Sequence, residues 1–282
     1  MQDKIIVVTG GTNGIGLETA RALVKAGADV HIVGRSQDRI DAAVATIKAS
    51  SGKGSIQGWK ADLSSQPSIR ALAPRLLGAL PRIDVLVNNA GALFMKRELN
   101  PEGMEMTWAL NHLNYFTLTH LLLDAVKAAP AGRIVNVSSA AHLSGQIRFD
   151  DPEFRSGYAG FAAYAQSKLA NVMFTNALAR RLTGTGITAN SLHPGGVATG
   201  FGMNNSGPLQ AFFGTIWKVF AMSAEKGAVT SIYLASSKKV EGVSGGYFAR
   251  SKPAPISANA RDQAAQERLW TMTAAQTGIV WP

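Results

Sequence analysis

The chain has 282 residues, with 28 lysines and arginines against 18 aspartates and glutamates for a net charge of +10, and it has no cysteine. Without cysteine it can form no disulfide, zinc-thiolate site, iron–sulfur cluster or cysteine nucleophile, so any redox chemistry requires a cofactor. Its 46% hydrophobic and 16% charged residues are typical of a globular protein. The basic excess leaves nucleic acid, an anionic membrane and anionic small molecules open as partners.

Apolar runs of strand length alternate with longer segments of helical period along the chain. We predict strands over 5–8, 29–33, 55–59, 83–87, 133–137 and 187–192. We predict helices over 18–25, 38–48 and 66–78, within 101–128, and over 162–182. The strands are apolar on consecutive residues, as strands covered on both faces require. This alternation predicts the α/β class: one Rossmann-type, doubly wound parallel sheet with helices on both faces, over residues 1–282.

Two segments interrupt the alternation. Residues 140–160 contain the acidic run Asp150-Asp151-Pro152-Glu153 and show no clear period, which favours a solvated excursion. Residues 200–225 are rich in glycine, asparagine and bulky apolar side chains. This composition suits a lid over an apolar substrate, and it equally suits a segment packed against the domain or a partner subunit. We interpret 200–225 as a substrate-binding lid and keep the packing alternative open.

A glycine-rich turn follows the first strand directly and opens a helix. Its glycines would let the backbone turn tightly and approach a pyrophosphate, whose charge would lie at the free N–H groups of the helix N-terminus. No Lys-Ser or Lys-Thr pair follows, so the turn does not match the phosphate loop of kinases and ATPases. The turn therefore predicts dinucleotide binding, through Gly10, Thr12, Asn13, Gly14, Ile15 and Gly16.

The end of the second predicted strand indicates which dinucleotide binds. An NAD site places a carboxylate there to hold the ribose hydroxyls, but this chain reads Val33-Gly34-Arg35-Ser36. Gly34 would leave room for a 2′-phosphate, and the guanidinium of Arg35 could bind it. We therefore predict NADP(H) as the cofactor. The alternative is that Arg35 is a solvated loop arginine.

With these residues in place, the sequence resembles the short-chain dehydrogenase/reductase family over nearly its whole length. Several motifs occur in that family's order. They are Thr9-Gly-x-x-x-Gly-x-Gly16, Asp62-Leu63, Asn88-Asn89-Ala90-Gly91, Gly132-Arg-Ile-Val-Asn-Val-Ser-Ser139, Tyr164-Ala-Gln-Ser-Lys168 and His193-Pro-Gly-Gly-Val-Ala-Thr199. The resemblance implies further cofactor contacts near the adenine, along the crevice and beside the nicotinamide. They are Asp62, Leu63, Asn89, Ala90, Gly91, Tyr164, Lys168, Pro194, Gly195, Val197 and Thr199, with Asn88 beside them.

Tyr164 and Lys168 are four residues apart in a segment of helical period, so both project from one helix face. An ammonium beside the phenol would lower the pKa of Tyr164, though a single exposed pair could not bring it near neutrality. In carbonyl reduction Tyr164 would donate the proton, and in alcohol oxidation it would accept one. Ser139 would hydrogen-bond the substrate oxygen.

Four further points accompany this assignment. The adjacent Ser138 cannot be separated from Ser139 by sequence alone, and family alignment favours Ser139 as catalytic. Tyr158 has no lysine four residues on. The resemblance assigns Asn111 a fourth catalytic role: it bends its helix and holds a water in a proton relay reaching Lys168, and the alternative is a buried amide satisfied by backbone. The five histidines show no paired ligand spacing, so we predict no metal site.

Ser139 and Tyr164 are 25 residues apart, about twice the family's usual spacing. This spacing, the run Asn171-Val-Met-Phe-Thr-Asn176 and the pair Leu269-Trp270 resemble the branch of retinol dehydrogenases, WW-domain oxidoreductases and protochlorophyllide reductases. The resemblance implies an NADP(H)-dependent oxidoreductase, an alcohol dehydrogenase or carbonyl reductase acting on a lipophilic ketone or aldehyde. The main alternative is a non-catalytic NADP(H) sensor on the same fold.

Other partners are disfavoured. No run of basic residues supports nucleic-acid binding, and no apolar run is long enough to span a bilayer. We therefore expect a small-molecule carbonyl or alcohol substrate and a cytoplasmic location. The family resemblance implies a homodimer or homotetramer, and a monomer is the alternative in this branch.

Overall fold

The computed structural model describes residues 1–50, 53–195 and 223–281. Within them the strands form one sheet in the order β3-β2-β1-β4-β5-β6-β7-β8, parallel except for β8, which is antiparallel to β7. The strands are β1 (Ile5–Thr9), β2 (Asp29–Gly34), β3 (Ser55–Lys60), β4 (Val85–Asn88), β5 (Arg133–Val137), β6 (Thr188–His193), β7 (Tyr247–Ala249) and β8 (Lys252–Pro253).

Helices cover both faces of this sheet. They are α1 (Gly14–Lys25), α2 (Gln37–Ser50), α3 (Gln66–Ala79), α4 (Met106–Trp108), α5 (Asn114–Lys127), α6 (Gly160–Arg181), α7 (Ala224–Ser236), α8 (Ala258–Arg261) and α9 (Gln263–Thr277). A π-helical turn, Ala109–Leu113, joins α4 to α5, and a 3₁₀ helix, Ala140–Ser144, follows β5. The doubly wound parallel sheet predicted from the sequence is confirmed.

Consecutive residues of strand β1 are apolar because both faces of the strand are covered. Ile6 and Val8 enter the core beneath α1 and α7, whereas Val7 enters the core beneath α3, α5 and α6. Alternate residues of a strand point to opposite faces of the sheet, so a strand covered on both sides needs an apolar side chain at each position. The same strand pairs with β2 and β4, which places it at the centre of the sheet.

The excursion over 140–160 differs from the solvated loop that its acidic run predicts. Asp150 is exposed, but Glu153 and Phe154 are buried. The Glu153 carboxylate accepts the backbone N–H of the buried Glu105 at 2.9 Å. The acidic run therefore turns inward at its end, because a backbone donor satisfies its carboxylate there.

The C-terminal quarter contains elements that the strand-helix alternation did not predict, namely α7, β7, β8, α8 and α9. The short strands β7 and β8 carry too few residues for a period to emerge. In α9 the apolar positions of Leu269 and Trp270 are flanked by alanine, threonine and glutamine. The predicted lid at 200–225 lies outside the described residues over 200–222, and its last residues, from Ser223, cap and begin α7.

Candidate active site

The sheet changes winding direction between β1 and β4, which are neighbours although two strands separate them in sequence. At such a switch point the loops after the two strands part and leave a crevice at the carboxyl edge of the sheet. The glycine-rich turn after β1 and the residues after β4 form the two walls of this crevice. The predicted cofactor and catalytic residues that the structure describes follow the carboxyl ends of strands or lie on α6 and the π turn.

The glycine-rich turn approaches the loop after β4 so closely that side chains would not fit. Gly10 has φ +65°, and a Cβ there would lie 3.0 Å from the Ala90 Cα. A Cβ on Gly16 would lie 2.2 Å from the Gly10 carbonyl oxygen and 2.6 Å from the Asn89 Nδ2. Helix α1 begins at Gly14, and the Asn13 side chain makes no capping bond to its free N–H groups. This uncapped helix start behind a bare backbone turn fits a pyrophosphate.

Thr9, at the end of β1, joins the two walls of the crevice. Its Oγ1 accepts the N–H groups of Asn89 at 2.8 Å and Ala90 at 3.0 Å. The Asn89 Nδ2 donates back to the carbonyl oxygen of Thr9 at 2.8 Å and to that of Gly10 at 3.3 Å. The Asn89 amide nitrogen therefore holds the turn. Sequence reasoning gave Thr9 no role, although a polar residue closing an apolar strand was its signal.

Three other residues predicted near the cofactor lie at the end of β4 or after β3. The Asn88 side chain is fully buried and donates to Thr119 and Asn136, each at 2.9 Å. Its side chain therefore ties the end of β4 to α5 and to β5. Leu63 is buried in the core under α3. The Asp62 carboxylate remains partly exposed and accepts two bonds from Ser64.

The end of β2 carries the two residues predicted to select the dinucleotide. Arg35 is exposed, and it makes no hydrogen bond or ion pair with the rest of the described chain. At Gly34, which was predicted to leave room for a 2′-phosphate, a Cβ would lie 2.6 Å from the Thr12 Cγ2. Glycine at position 34 therefore makes room for the glycine-rich turn itself.

The remaining predicted cofactor residues follow the same edge. Ile15 is half-buried in the first turn of α1, and Gly91 is exposed after β4. Pro194 and Gly195 follow β6, where Gly195 has φ +95°. Val197 and Thr199 lie outside the described residues.

Helix α6 brings Tyr164 and Lys168 to the crevice, one turn apart and both buried, with 7% and 3% of their surfaces exposed. The Lys168 Nζ lies 5.6 Å from the centre of the Tyr164 ring. It also donates to the carbonyl oxygen of Val137, the last residue of β5, at 3.2 Å. The strand thus anchors the ammonium beneath the phenol.

Burial dominates the acidity of both groups. It lowers the pKa of Lys168 to about 7. It raises the pKa of Tyr164, and a hydrogen bond with Ser139 only partly opposes it. The lowering expected from Lys168 is not found, and burial dominates because removing water penalises the charged form of each group. The Tyr164 hydroxyl is held as a proton donor.

The structure separates the two adjacent serines. The Ser138 hydroxyl is buried and donates to the carbonyl oxygen of Lys168 at 2.7 Å, tying β5 to α6. Ser139 is half-buried and bonds the Tyr164 hydroxyl. Ser139 is therefore the serine that can share a substrate oxygen with Tyr164.

Two histidines that sequence reasoning did not single out hold the strand end around Ser139. The buried His142 lies with its Nδ1 at 2.7 Å from the carbonyl oxygen of Ser139. The His193 Nδ1 accepts the N–H of Ala140 at 3.2 Å. Burial lowers the pKa of both histidines, so both remain neutral supports at neutral pH.

Asn111 lies in the middle of the π turn Ala109–Leu113, so its helix is distorted where the resemblance implied a bend. Its amide bonds both backbone groups of Ala92, at 2.8 and 2.9 Å, and the Ser167 hydroxyl at 3.0 Å. These contacts match the alternative of a satisfied buried amide. A Cβ on Gly91 would lie 2.9 Å from the Asn111 Oδ1 and 3.2 Å from the Lys168 Nζ, so both groups face the same point.

Tyr158 is not part of this arrangement. Its hydroxyl donates to the carbonyl oxygen of Phe94 at 2.8 Å and lies 3.2 Å from the Glu105 carboxylate. It fixes the excursion over 140–160 to the loop before α4. Of these two tyrosines, Tyr164 is the one that bonds Ser139 and lies beside Lys168.

Comparison with known proteins agrees with this geometry. The family model for the short chain dehydrogenase matches residues 4–208. The chain belongs to the short chain dehydrogenase family. It is 39% identical to retinol dehydrogenase 12 of Mus musculus over 278 residues, which cover 99% of this chain and 87% of that protein. As a member of this family it is an NAD(P)-dependent oxidoreductase.

Solved structures of the short chain dehydrogenase fold are also similar. A crystal structure of an uncharacterized protein from Mycobacterium Paratuberculosis has a TM-score of 0.79 and 30% identity, covering 100% of this chain and 96% of that one. A short chain dehydrogenase from Shigella flexneri 2a, complexed with NADP, has a TM-score of 0.69 and 25% identity, covering 89% and 98%.

Two negative features concern residues 1–50, 53–195 and 223–281. No helix among them is long and apolar enough to cross a membrane. Within those same ranges, no group of three or more histidine, aspartate or glutamate side chains could hold a metal ion.

Proposed function

We propose that this short chain dehydrogenase transfers hydride between NADP(H) and a lipophilic aldehyde or ketone and the matching alcohol. The observation that carries the proposal is the buried tyrosine. Tyr164 bonds Ser139, its ring centre lies 5.6 Å from the Lys168 Nζ, and a Cβ on Gly91 in the crevice wall would lie 3.2 Å from that Nζ. A protonated phenol held in that place is suited to donate to a carbonyl oxygen.

The chain's own residues divide the work. The bound nicotinamide supplies hydride to a carbonyl carbon or accepts it from an alcohol. Tyr164 Oη gives its proton to the substrate oxygen in reduction and takes it back in oxidation, while Ser139 Oγ orients that oxygen. The Lys168 ammonium, held by the Val137 carbonyl, stabilises negative charge on Tyr164 Oη.

The NADP(H) preference rests on Arg35. Its exposed guanidinium follows β2 at the edge where the adenosine end of the cofactor would bind, and the segment Val33-Gly34-Arg35-Ser36 has no carboxylate to repel a 2′-phosphate. Its lack of partners in the described chain leaves all its donors available to a phosphate. The relative solved with NADP supports the same choice.

The lipophilic substrate class rests on two exposed apolar side chains. Phe161 precedes Tyr164 by less than one helical turn, and Leu143 lies on the 3₁₀ helix after Ser139; each is 56% exposed. Water-exposed side chains of this size beside a catalytic pair favour an apolar ligand over a sugar or hydroxy acid. Several relatives with 37–39% identity are named retinol dehydrogenases, so a long-chain or retinoid aldehyde is the first substrate to test.

One experiment separates this function from a cofactor-sensing role. The purified protein is mixed with NADPH and a panel of all-trans-retinaldehyde, medium-chain aldehydes, cyclic ketones and sugar aldehydes, and oxidation of NADPH is followed by absorbance. We expect turnover with the apolar members and at least roughly tenfold lower kcat/KM with NADH. Tight NADPH binding with no turnover of any member, or of any alcohol with NADP⁺, would favour the sensor.

A further inference from the structure

The carbonyl oxygen that holds Lys168 is shared with other side chains. Val137 accepts the Lys168 Nζ at 3.2 Å, the Tyr115 hydroxyl at 3.3 Å and the Asn171 Nδ2 at 3.4 Å. A carbonyl oxygen has two lone pairs, so these three donors compete, and their distances lie at the long end of hydrogen bonds. Whatever strengthens one donor weakens the hold on the others.

Asn171 lies on the same face of α6 as Lys168 and is fully buried. Because its Nδ2 donates to a carbonyl, its Oδ1 is the acceptor toward the His112 Nδ1, 3.4 Å away. His112 must then carry its proton on Nδ1. Its Nε2 lone pair is left to accept the hydroxyl of Thr273 on α9, at 2.9 Å. All of these side chains are buried, so each bond is isolated from water.

We propose that Thr273, His112 and Asn171 are positioning residues, a hydrogen-bonded relay that ties the C-terminal helix α9 to the carbonyl anchoring Lys168. The proton order runs one way, from the Thr273 hydroxyl to His112, from His112 to Asn171, and from Asn171 to Val137. Each donation polarises the next, so losing the first member weakens the last. The relay also gives a role to two sequence features that the catalytic assignment left unused, the run beginning at Asn171 and the helix containing Leu269-Trp270.

The ring of His112 is placed for this role and not for titration. It lies 4.5 Å from the Trp108 ring and 6.4 Å from the Phe174 ring, in an apolar slot between the π turn and α6. Burial lowers the pKa of His112 to about 3, so the ring is neutral at neutral pH. The titratable side chains described against Lys168 itself are Tyr115 on α5 and Tyr164 on α6.

The direct test needs no turnover. Long-range ¹H–¹⁵N spectra of the histidine rings report which nitrogen carries the proton, and His112→Phe identifies the signal. We expect the Nδ1–H form of His112 from pH 8 down to pH 5. The Nε2–H form, or protonation above pH 5, would overturn the relay, since Asn171 could not then accept from Nδ1 or Thr273 could not donate to Nε2.

The second test uses the pH dependence of the reaction, so it rests on the proposed function. Thr273→Val removes the hydroxyl and keeps the shape of the side chain. Asn171 then becomes a weaker competitor for Val137, so Lys168 bonds that oxygen better and keeps its charge to higher pH. We expect the apparent pKa near 7 in the pH profile of kcat/KM to rise by several tenths of a pH unit. NADPH affinity, measured by fluorescence, should follow the same shift.

Two matched variants make this result specific. Thr277→Val is the same change one turn along α9, where the hydroxyl bonds only the carbonyl oxygens of Thr273 and Ala274 on its own helix. Its profile should match wild type, and Thr273→Ser should restore the wild-type apparent pKa. An unchanged apparent pKa in Thr273→Val, or an equal shift in Thr277→Val, would overturn the relay. An inactive wild type would contradict the proposed function instead, leaving the ring spectra to decide on the relay.

Discussion

The two ends of the crevice are built differently. At the catalytic end Lys168 and Asn111 are 3% and 0% exposed, and each is held by hydrogen bonds within the protein. At the nucleotide end Arg35 is exposed and makes no polar contact with the described chain. The fold itself therefore arranges the catalytic side chains, whereas the NADP(H) preference that we propose rests on one surface side chain. Substitutions should then disturb chemistry and stability at the first end, and cofactor preference alone at the second.

The largest effect is expected from Tyr164→Phe, which removes the proton donor from the catalytic end. General acid catalysis is worth roughly 10²–10⁴-fold, so kcat should fall by that factor. NADPH affinity should stay within about threefold by fluorescence titration, because the phenyl ring still fills its place. Tyr158→Phe is the control, since its hydroxyl bonds Phe94 away from Lys168, and it should keep wild-type turnover. Equal activity in both variants would remove Tyr164 from the mechanism.

The next effect concerns the free energy of unfolding. Lys168 has a pKa of about 7 in the folded protein and about 10.5 in the unfolded chain. Between these values the unfolded state binds more protons, so this group makes the protein more stable as pH rises. Lys168→Met should therefore be more stable than wild type by roughly 2–4 kcal/mol at pH 6, and the gap should close toward pH 10.

Urea unfolding at pH 6, 8 and 9.5 measures this gap. The control is Lys48→Met, which changes an exposed lysine on α2. It should leave the pH dependence of the unfolding free energy as in wild type. A Lys168→Met variant that is less stable than wild type at pH 6 would show that the ammonium is not desolvated as the structure has it.

A third prediction tests the close contact between the glycine-rich turn and the loop after β4. Gly16→Ala puts a methyl 2.2 Å from the Gly10 carbonyl oxygen, so the turn and the loop after β4 must separate. Overpacking of this kind costs about 1–3 kcal/mol of stability, and the dissociation constant for NADPH should rise about tenfold or more. Gly78→Ala on α3, where a Cβ meets no atom within 4 Å, should instead stabilise by about 0.5–1 kcal/mol. If NADPH binds Gly16→Ala as tightly as wild type, the turn is not the pyrophosphate site.

The smallest effect is expected at the nucleotide end of the crevice. Arg35→Ala should raise the dissociation constant for NADPH about tenfold, the loss of one charge-assisted contact, and leave that for NADH unchanged. Stability should move by less than about 0.5 kcal/mol, because the side chain is exposed. The control Lys48→Ala removes one positive charge from an exposed position on α2. It should change neither the NADPH nor the NADH dissociation constant. If NADH affinity fell as much as NADPH affinity, Arg35 would support the fold and would not bind the 2′-phosphate.

The sheet and the catalytic pair could be predicted from sequence because their signals are local. Consecutive apolar residues marked the buried strands, and four-residue spacing placed Tyr164 over Lys168. The predicted strand over 133–137 coincides with β5. Contacts between distant segments were not predictable in the same way. Nothing near His112 in sequence indicates that its partner is Thr273, and the role of Thr9 depends on a loop 80 residues away.

Two further observations also have physical reasons. The acidic run at 150–153 was taken as solvated, yet Glu153 is buried because the Glu105 backbone N–H satisfies it. Gly34 was predicted to leave room for a phosphate, and the structure adds a second constraint there, since a Cβ would meet the Thr12 side chain. A glutamate can be solvated or buried, and a glycine can make room for a ligand or for a neighbouring side chain. Only the folded structure decides between these environments.

The central claim, hydride transfer to a carbonyl carbon above Tyr164, can be measured directly with deuterium. NADPH labelled at C4, in its 4R and 4S forms separately, is incubated with the protein and the best aldehyde of the panel, and the alcohol is analysed by mass spectrometry. We predict that one of the two labelled cofactors gives an alcohol one mass unit heavier, with Tyr164→Phe forming little product from either. Consumption of NADPH with no deuterium in the product would contradict the account.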